Sequence, residues 1–150
     1  MIRLNLPEYQ FKIQRAEGGK LYIFDEIRKK NILLTPEEWV RQNFIRHMNE
    51  EHKIPLSLMI LEKEVLLNGQ KKRIDILVYD TAGKPNILVE CKATNIKISQ
   101  ETFDQAARYN MVTSVPYLIV TNGLEHFYSF IDHDKKAFSF LKEFPPFEKY

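Results

Sequence analysis

The chain has 150 residues, of which 44% are hydrophobic and 28% charged, a composition that is ordinary for a globular domain and excludes low-complexity and collagen-like chains. The formal net charge of +2 is too small to predict nucleic-acid binding by itself. No apolar run approaches the ~20 residues of a membrane span, and residues 1–10 lack a secretory-signal pattern, so we expect a cytoplasmic protein without membrane contact.

The first 34 residues predict a small hairpin. Residues 11–14 and 21–24 are strand-like, and Gly18 and Gly19 lie between them. No activity can be assigned to this leading segment from its residues.

A helix is predicted from Thr35 or Pro36 to about His52. Proline is favoured at the first helical position, and Glu37 and Glu38 lie in the first turn, where the helix dipole favours acids. Apolar residues recur at helical spacing and predict the buried face: Val40, Phe44, Ile45 and Met48.

Charged residues inside strand-like sequence mark the next segment. A strand over residues 58–67 and an Asn68-Gly69 turn lead to two apolar runs, residues 74–79 and 87–92, which are joined by turn residues 80–85. Side chains alternate along a strand, so Glu90 and Lys92 share one face. If Asp80 pairs with Pro85, the numbers of opposed residues sum to 165, and Asp75 lies opposite Glu90.

Two facing carboxylates need a compensating charge. Like charges opposed on a sheet are destabilising, and burying an unpaired carboxylate costs several kcal/mol or shifts its pKa. A divalent cation such as Mg²⁺, held by two carboxylates, explains the pair, and Lys92 would then lie near an attacking water or a phosphate. The alternative is a surface hairpin whose charges are only solvated.

The cysteine and the histidines predict no rival chemistry. Cys91 is the single cysteine, which excludes an internal disulfide, and it lies on the face opposite Glu90 and Lys92, as a small core residue would. The histidines lack a zinc-ligand spacing and are expected at the surface or in caps: His47, His52, His126 and His133.

A second helix is predicted from an N-cap at Ser99 to about Met111. Gln105 and Tyr109 are four residues apart and therefore share a face. They could surround Lys92, or they could form a partly exposed polar face with a packed tyrosine ring. Residues 116–121 predict a buried strand, and residues 127–131 and 137–141 a terminal hairpin.

A basic run precedes the first carboxylate. Lys71, Lys72 and Arg73 would stand at the mouth of the site, where phosphate contacts position a nucleic acid, and Lys97 and Arg108 could extend this surface. The alternative is a solvated charge run that follows the turn.

Asp75, the Glu90-Cys91-Lys92 run and the Gln105 to Tyr109 segment, in this order, resemble the PD-(D/E)XK nuclease superfamily. More narrowly, the chain is similar over residues 35–132 to the nuclease domain at the N-terminus of type I restriction enzyme R subunits, although Ile74 replaces the proline of the signature. The resemblance implies an α/β (α+β), restriction-endonuclease-like core. Its central mixed sheet would consist of an antiparallel meander and a crossover strand flanked by helices. We expect a single domain over residues 1–150, with residues 1–34 as an extension.

The resemblance also implies an activity and its residues. It implies Mg²⁺-dependent cleavage of DNA, with Mn²⁺ as a substitute. Asp75 and Glu90 would be the metal ligands, Lys92 the catalytic lysine, and Gln105 and Tyr109 its supporting residues. The superfamily usually adds a glutamate from the first helix; Glu38 is the preferred match, and Glu37 stays open because it lies closer to the buried stripe.

A motif that the sequence lacks bears on the partners that we expect. It has no Walker motif for a translocating motor, so the domain is expected to act alone, as a homo-oligomer or with a separate partner subunit. The alternative functions are a nucleic-acid-binding module and a protein-interaction module that retain the nuclease fold without turnover.

Overall fold

The computed structural model describes residues 1–147 as two β-sheets and two α-helices. A small antiparallel sheet contains β1 (Ile13–Arg15), β2 (Leu21–Asp25) and β3 (Lys30–Leu33). The remaining elements are α1 (Pro36–Glu50), β4 (Met59–Leu67), β5 (Gln70–Tyr79), β6 (Pro85–Cys91), α2 (Gln100–Thr113), β7 (Tyr117–Thr121), β8 (His126–Asp132) and β9 (Ala137–Leu141). No helix in this part of the chain is long and apolar enough to cross a membrane.

The leading hairpin is confirmed, and the structure adds a third strand to it. The turn before β3 is held by Asp25, whose Oδ1 accepts the backbone N–H groups of Ile27 and Arg28, each at 2.8 Å. Strand β3 is short and mostly exposed, and its residues show little hydrophobic alternation, so the sequence did not predict it as a strand. It forms because this turn brings it antiparallel to β2.

Helix α1 begins where its sequence predicts and ends two residues early, at Glu50. The Thr35 hydroxyl caps it by accepting the Glu38 N–H at 3.0 Å. The predicted apolar stripe is buried against the large sheet, where it joins a core cluster with residues of β5, β6 and β7.

The large sheet has the order β4-β5-β6-β7-β8-β9, in which only β6 and β7 are parallel. Parallel neighbours need a crossover connection, and α2 supplies it. A second core cluster lies between α2 and this sheet and contains Leu77, Leu88, Phe103 and Leu118. The predicted meander, crossover strand and flanking helices are therefore confirmed.

The predicted register of β5 and β6 is confirmed in the centre of the strand pair and is wrong at the turn. Ile76 pairs with Val89 and Val78 with Ile87, which is the predicted sum of 165, but Tyr79, not Asp80, pairs with Pro85. The Asp80 carboxylate accepts the N–H groups of Ala82 and Lys84, each at 2.9 Å. These bonds draw Asp80 into the turn, and the ladder absorbs the change as a bulge.

The histidines after α1 correct another expectation. His47 and His52 are partly buried, with their Nε2 atoms 3.2 Å apart, because the chain folds back where α1 ends. The His126 ring bonds Thr121, with Nδ1 2.7 Å from the hydroxyl oxygen. The expectation of surface or capping histidines was wrong at His47, since spacing along a helix does not report a chain reversal. Burial lowers the pKa of His47 to about 4.

Candidate active site

The candidate site lies at a fork between two strands. The pairing of β5 with β6 ends at Ile76 and Val89; beyond this point β5 continues beside β4, and β6 continues beside β7. The Cys91 backbone N–H donates to Asp75 Oδ2 at 2.7 Å, so a side chain takes the place of the next ladder bond. The diverging strands open a cleft between the β4–β5 arm and α2.

Glu90 and Lys92 both line this cleft, on the shared face that strand alternation predicts. Lys92 Nζ lies 3.4 Å from Glu90 Oε1, and both side chains keep partial solvent access. Cys91 points the other way and is 1% exposed, which confirms its place in the core.

Asp75 is more buried than Glu90 and lies at the root of the fork. Its Oδ1 accepts from Arg41 Nη2 at 3.0 Å, and its residue is 8% exposed. It is not among the described residues that line the cleft. The Asp75 carboxylate is therefore held in place from α1 and from β6, next to the cleft instead of within it.

The carboxylates carry more negative charge than their surroundings neutralise. Burial and the charge of Asp75 raise the pKa of Glu90 to about 7, although Lys92 opposes the shift. Burial also raises the pKa of Asp75, against the Cys91 N–H and Arg41. The charge of Asp75 therefore repels that of Glu90, although the two residues are not paired in the sheet, because the strand pairing ends at Ile76 and Val89.

The charge of Glu37 acts on this pair of carboxylates. Burial and the charge of Asp75 raise the pKa of Glu37, and Lys92 opposes the shift. Glu38 instead accepts from Arg28 at 3.1 Å, from Arg41 at 2.8 Å and from Gln42 at 3.0 Å. With these cationic and amide donors around it, Glu38 belongs to a buried ion-pair network, whereas Glu37 is about half exposed and contacts only the edge of that network, at 3.4 Å from Arg41.

Helix α2 places Gln105 and Tyr109 on the wall of the same cleft. Ser99 caps the helix by accepting the Thr102 N–H at 3.2 Å, and the four-residue spacing then directs both side chains to one side. Lys72 Nζ lies 5.3 Å from the centre of the Tyr109 ring, a cation–π contact across the cleft.

The predicted basic residues divide into two groups. Lys72 and Arg73 line the cleft from β5, as does Lys63 from β4, which sequence reasoning had passed over. Lys71, Lys97 and Arg108 are exposed and do not appear among the described lining residues. The basic residues that share the cleft with Glu90 and Lys92 are thus Lys63, Lys72 and Arg73.

Comparison with known proteins identifies the family. Residues 36–145 match the family model described as type I restriction enzyme R protein N terminus, which is more than half of the chain. The chain belongs to this family. No curated protein matches it significantly.

A solved structure supports the fold of this R-protein N-terminal family member. It is a fragment assigned to an HsdR subunit of a type I restriction enzyme from Vibrio vulnificus YJ016, with a TM-score of 0.51 and 21% identity. The match covers 75% of this chain and 24% of that chain, so this chain spans about a quarter of that structure's length. The fold is restriction-endonuclease-like, with the mixed sheet and two helices described above.

The carboxylates of Asp75 and Glu90 in this family member are the kind of ligand that a divalent cation prefers. Within residues 1–147, no three His, Cys, Asp or Glu side chains are arranged to hold an ion together. Mg²⁺ commonly uses only one or two carboxylates and completes its shell with water and phosphate oxygens. Each Asp75 oxygen has one hydrogen bond and therefore one free acceptor position. Burial is the largest cause of the raised pKa of Asp75 and of Glu90, and a cation beside them would favour their charged forms.

Sequence reasoning missed Arg41 and Arg28. Arg41 is 5% exposed and bonds Asp75 directly, and Arg28 joins Asp25, Glu38 and Glu62 to the same network. A signal for Arg41 was present. It lies three, four and seven residues before the buried Phe44, Ile45 and Met48, so the helical pattern places a cation on the core face.

Proposed function

We propose that this family member hydrolyses DNA phosphodiester bonds with a divalent cation, Mg²⁺ or its substitute Mn²⁺, held by Asp75 and Glu90. The observation that supports the proposal is the fork, where the Asp75 carboxylate accepts the Cys91 N–H next to a cleft whose wall carries Glu90, Lys92 and three further basic residues, Lys63, Lys72 and Arg73. Family membership supports a nuclease role, because the family is the N-terminal part of a restriction enzyme subunit.

Each residue has a distinct task in this proposal. When bound, the cation supplies Lewis-acid stabilisation of the phosphate charge. Asp75 is oriented by Arg41 and the Cys91 N–H, so its free acceptor positions are preset. The Lys92 ammonium lies 3.4 Å from Glu90, where it positions the attacking water and stabilises charge that develops on phosphate.

The outer residues hold the substrate. Gln105 and Tyr109 are proposed to hydrogen-bond around Lys92 and the incoming phosphate, which limits the freedom of the reacting groups. Lys72, Arg73 and Lys63 are proposed to hold the neighbouring phosphates of the strand. Glu37, rather than Glu38, is proposed as the helix acid that acts on the metal site through its charge and not as a third ligand, because that charge interacts with Asp75, Glu90 and Lys92.

A cleavage assay with a matched lysine control tests the proposal. Plasmid and single-stranded DNA are incubated with Mg²⁺ or Mn²⁺ and wild-type protein, Lys92→Ala or Lys20→Ala. Lys20 is an exposed lysine of the leading sheet region. We expect metal-dependent cleavage that Lys92→Ala suppresses and Lys20→Ala leaves unchanged. Absent cleavage across these substrates would refute hydrolysis, metal-independent cleavage would refute the role of the cation, and salt-sensitive binding without cleavage would favour the binding-module alternative.

A further inference from the structure

The cleft is larger than a metal and a phosphate require. It encloses about 450 Å³ between the β4–β5 arm, β6 and α2. This volume lies in the range of about 300 to 1,000 Å³ that is usual for pockets that bind small molecules. Glu90 and Lys92 occupy part of its wall, and space beyond them remains to be explained.

Most of that space has an apolar lining. Leu77 and Leu88 form a buried floor beneath it, and Val65 and Leu67 line it from the arm. Phosphates bind to cations and hydrogen-bond donors, so contact with the backbone of a continuous duplex does not need such a floor. The opposite wall carries the Tyr109 ring, and Lys72 Nζ lies 5.3 Å from its centre, so a base would stack on the face that Lys72 leaves free.

An aromatic ring above an apolar floor suits a nucleobase. Bases that have left the double helix stack on aromatic side chains, and cationic groups beside them follow the strand backbone. Here the cations are Lys63, Lys72 and Arg73, which line the same cleft. Charge complementarity and continuity with Glu90 and Lys92 therefore both point to a nucleic acid strand as the occupant.

The arm adds an exposed apolar residue at the same opening. Leu66 is 71% exposed next to the β4–β5 turn, and it also borders the cleft. Nucleic-acid-binding proteins insert such residues between base steps, which unstacks the bases. Leu66 is thus placed to keep a base apart from its neighbours as it enters.

We propose that the cleft binds one unpaired base next to the scissile phosphate, so that the substrate is single-stranded or locally unpaired DNA. The proposal rests on the nuclease function above and specifies its substrate class. A base that packs between the Leu77–Leu88 floor and the Tyr109 wall has left the base stack, so its strand is unpaired at that position.

Binding without metal tests this separately from cleavage. In EDTA, fluorescence anisotropy compares a single-stranded oligonucleotide, the fully paired duplex and a series of single strands with one abasic position each. We expect the single strand to bind about tenfold more tightly than the duplex, within the range that base stacking contributes. A single strand with one abasic position in the cleft should lose most of this gain in affinity, because it keeps every phosphate but lacks the base. Equal binding of single strand and duplex, or affinity that no abasic position changes, would overturn the proposal.

Variants locate the effect in the cleft. Leu67→Ser and Leu66→Ser should each reduce single-strand affinity, by about tenfold for Leu67→Ser, and leave duplex affinity unchanged. Ile60→Ser is the matched control, since Ile60 is 41% exposed on the same strand and lies outside the described cleft lining. If Leu67→Ser does not fold, the exposed Leu66→Ser and the substitution Tyr109→Phe, which keeps the ring, still decide the question. Tyr109→Phe should retain the base-dependent affinity, and its loss would contradict stacking.

The two proposals fail in different ways. Cleavage of duplex and single strand at equal rates, with no abasic effect, would overturn the base pocket and leave the nuclease function intact. Base-dependent binding without cleavage in any metal would overturn the nuclease function and support the pocket as a single-strand binding site.

Discussion

Arg41 should be the most sensitive charged residue of the chain, and Arg41→Met tests the ion-pair network at its centre. The Arg41 guanidinium donates to Glu38 at 2.8 Å, to Asp75 at 3.0 Å and to Glu62 at 3.4 Å. Methionine keeps much of the apolar volume and removes the charge. The measurement is the free energy of unfolding in urea, followed by circular dichroism without metal ions.

The expected loss of unfolding free energy depends on which hydrogen-bond donors each carboxylate keeps in the variant. Glu38 retains Arg28 and Gln42, whereas Asp75 retains only the Cys91 N–H among the described residues. Removal of one partner of a buried ion pair costs about 3 to 5 kcal/mol, because the other charge stays buried and unpaired. A single domain has about 5 to 15 kcal/mol of stability, so the variant should be folded but much weakened.

Arg28→Met provides the comparison. Asp25 would keep two backbone N–H donors and Gln42, and Glu62 is partly exposed to water. No carboxylate is then left without a strong donor, and the expected loss is about 1 to 3 kcal/mol. Asp75→Asn in the Arg41→Met background should recover part of the loss, because it removes the orphaned charge. A loss below about 1 kcal/mol for Arg41→Met, or a larger loss for Arg28→Met, would refute the reasoning.

Three further predictions concern the acids and a histidine. Glu90 has a pKa of about 7 in the folded chain against an ordinary 4.5, so metal-free stability should fall as pH rises through this window; calorimetry should show a flatter profile for Glu90→Gln. Mg²⁺ affinity, measured by titration calorimetry, should rise across the same window, and a pH-independent affinity would contradict the ligand role. Burial lowers the pKa of His47 to about 4 from 6.5, so stability should be lost as pH falls from 6.5 through 4, and His47→Gln should reduce this acid loss. Glu37→Gln should weaken Mg²⁺ binding with little loss of stability, and Glu38→Gln should do the reverse; the opposite pattern would restore Glu38 as the metal-site acid.

Local patterns in the sequence were sufficient for most elements and for the pair of carboxylates. Alternation along two strands placed Glu90 and Lys92 on one face and Cys91 in the core, because the strand period is fixed by backbone geometry. Helical spacing predicted the buried stripe of α1 and the shared face of Gln105 and Tyr109 for the same reason. The hairpin register predicted the central pairs of β5 and β6, but the pairing ends at Ile76 and Val89, one pair before the predicted opposition of Asp75 and Glu90.

Such local patterns do not predict interactions between segments that are distant in the sequence. The Asp80 side chain shifted the register at the turn, and β3 formed through pairing that its own residues hardly indicate. The burial of Glu38 in its ion-pair network depends on Arg28, which lies ten residues earlier in the turn between β2 and β3.

The cleft shows most clearly which features the sequence determines and which features only the assembled sheet determines. Residue types and spacing placed carboxylates, a lysine and a tyrosine in a predictable order, since each depends on the period of a single helix or strand. The divergence of β5 from β6 depends on competing partners, because β5 follows β4 while β6 follows β7. That competition among strands opens the space beside Glu90, buries Asp75 against Arg41 and lines the cavity with Leu77 and Leu88, and it exists only once the whole sheet has assembled.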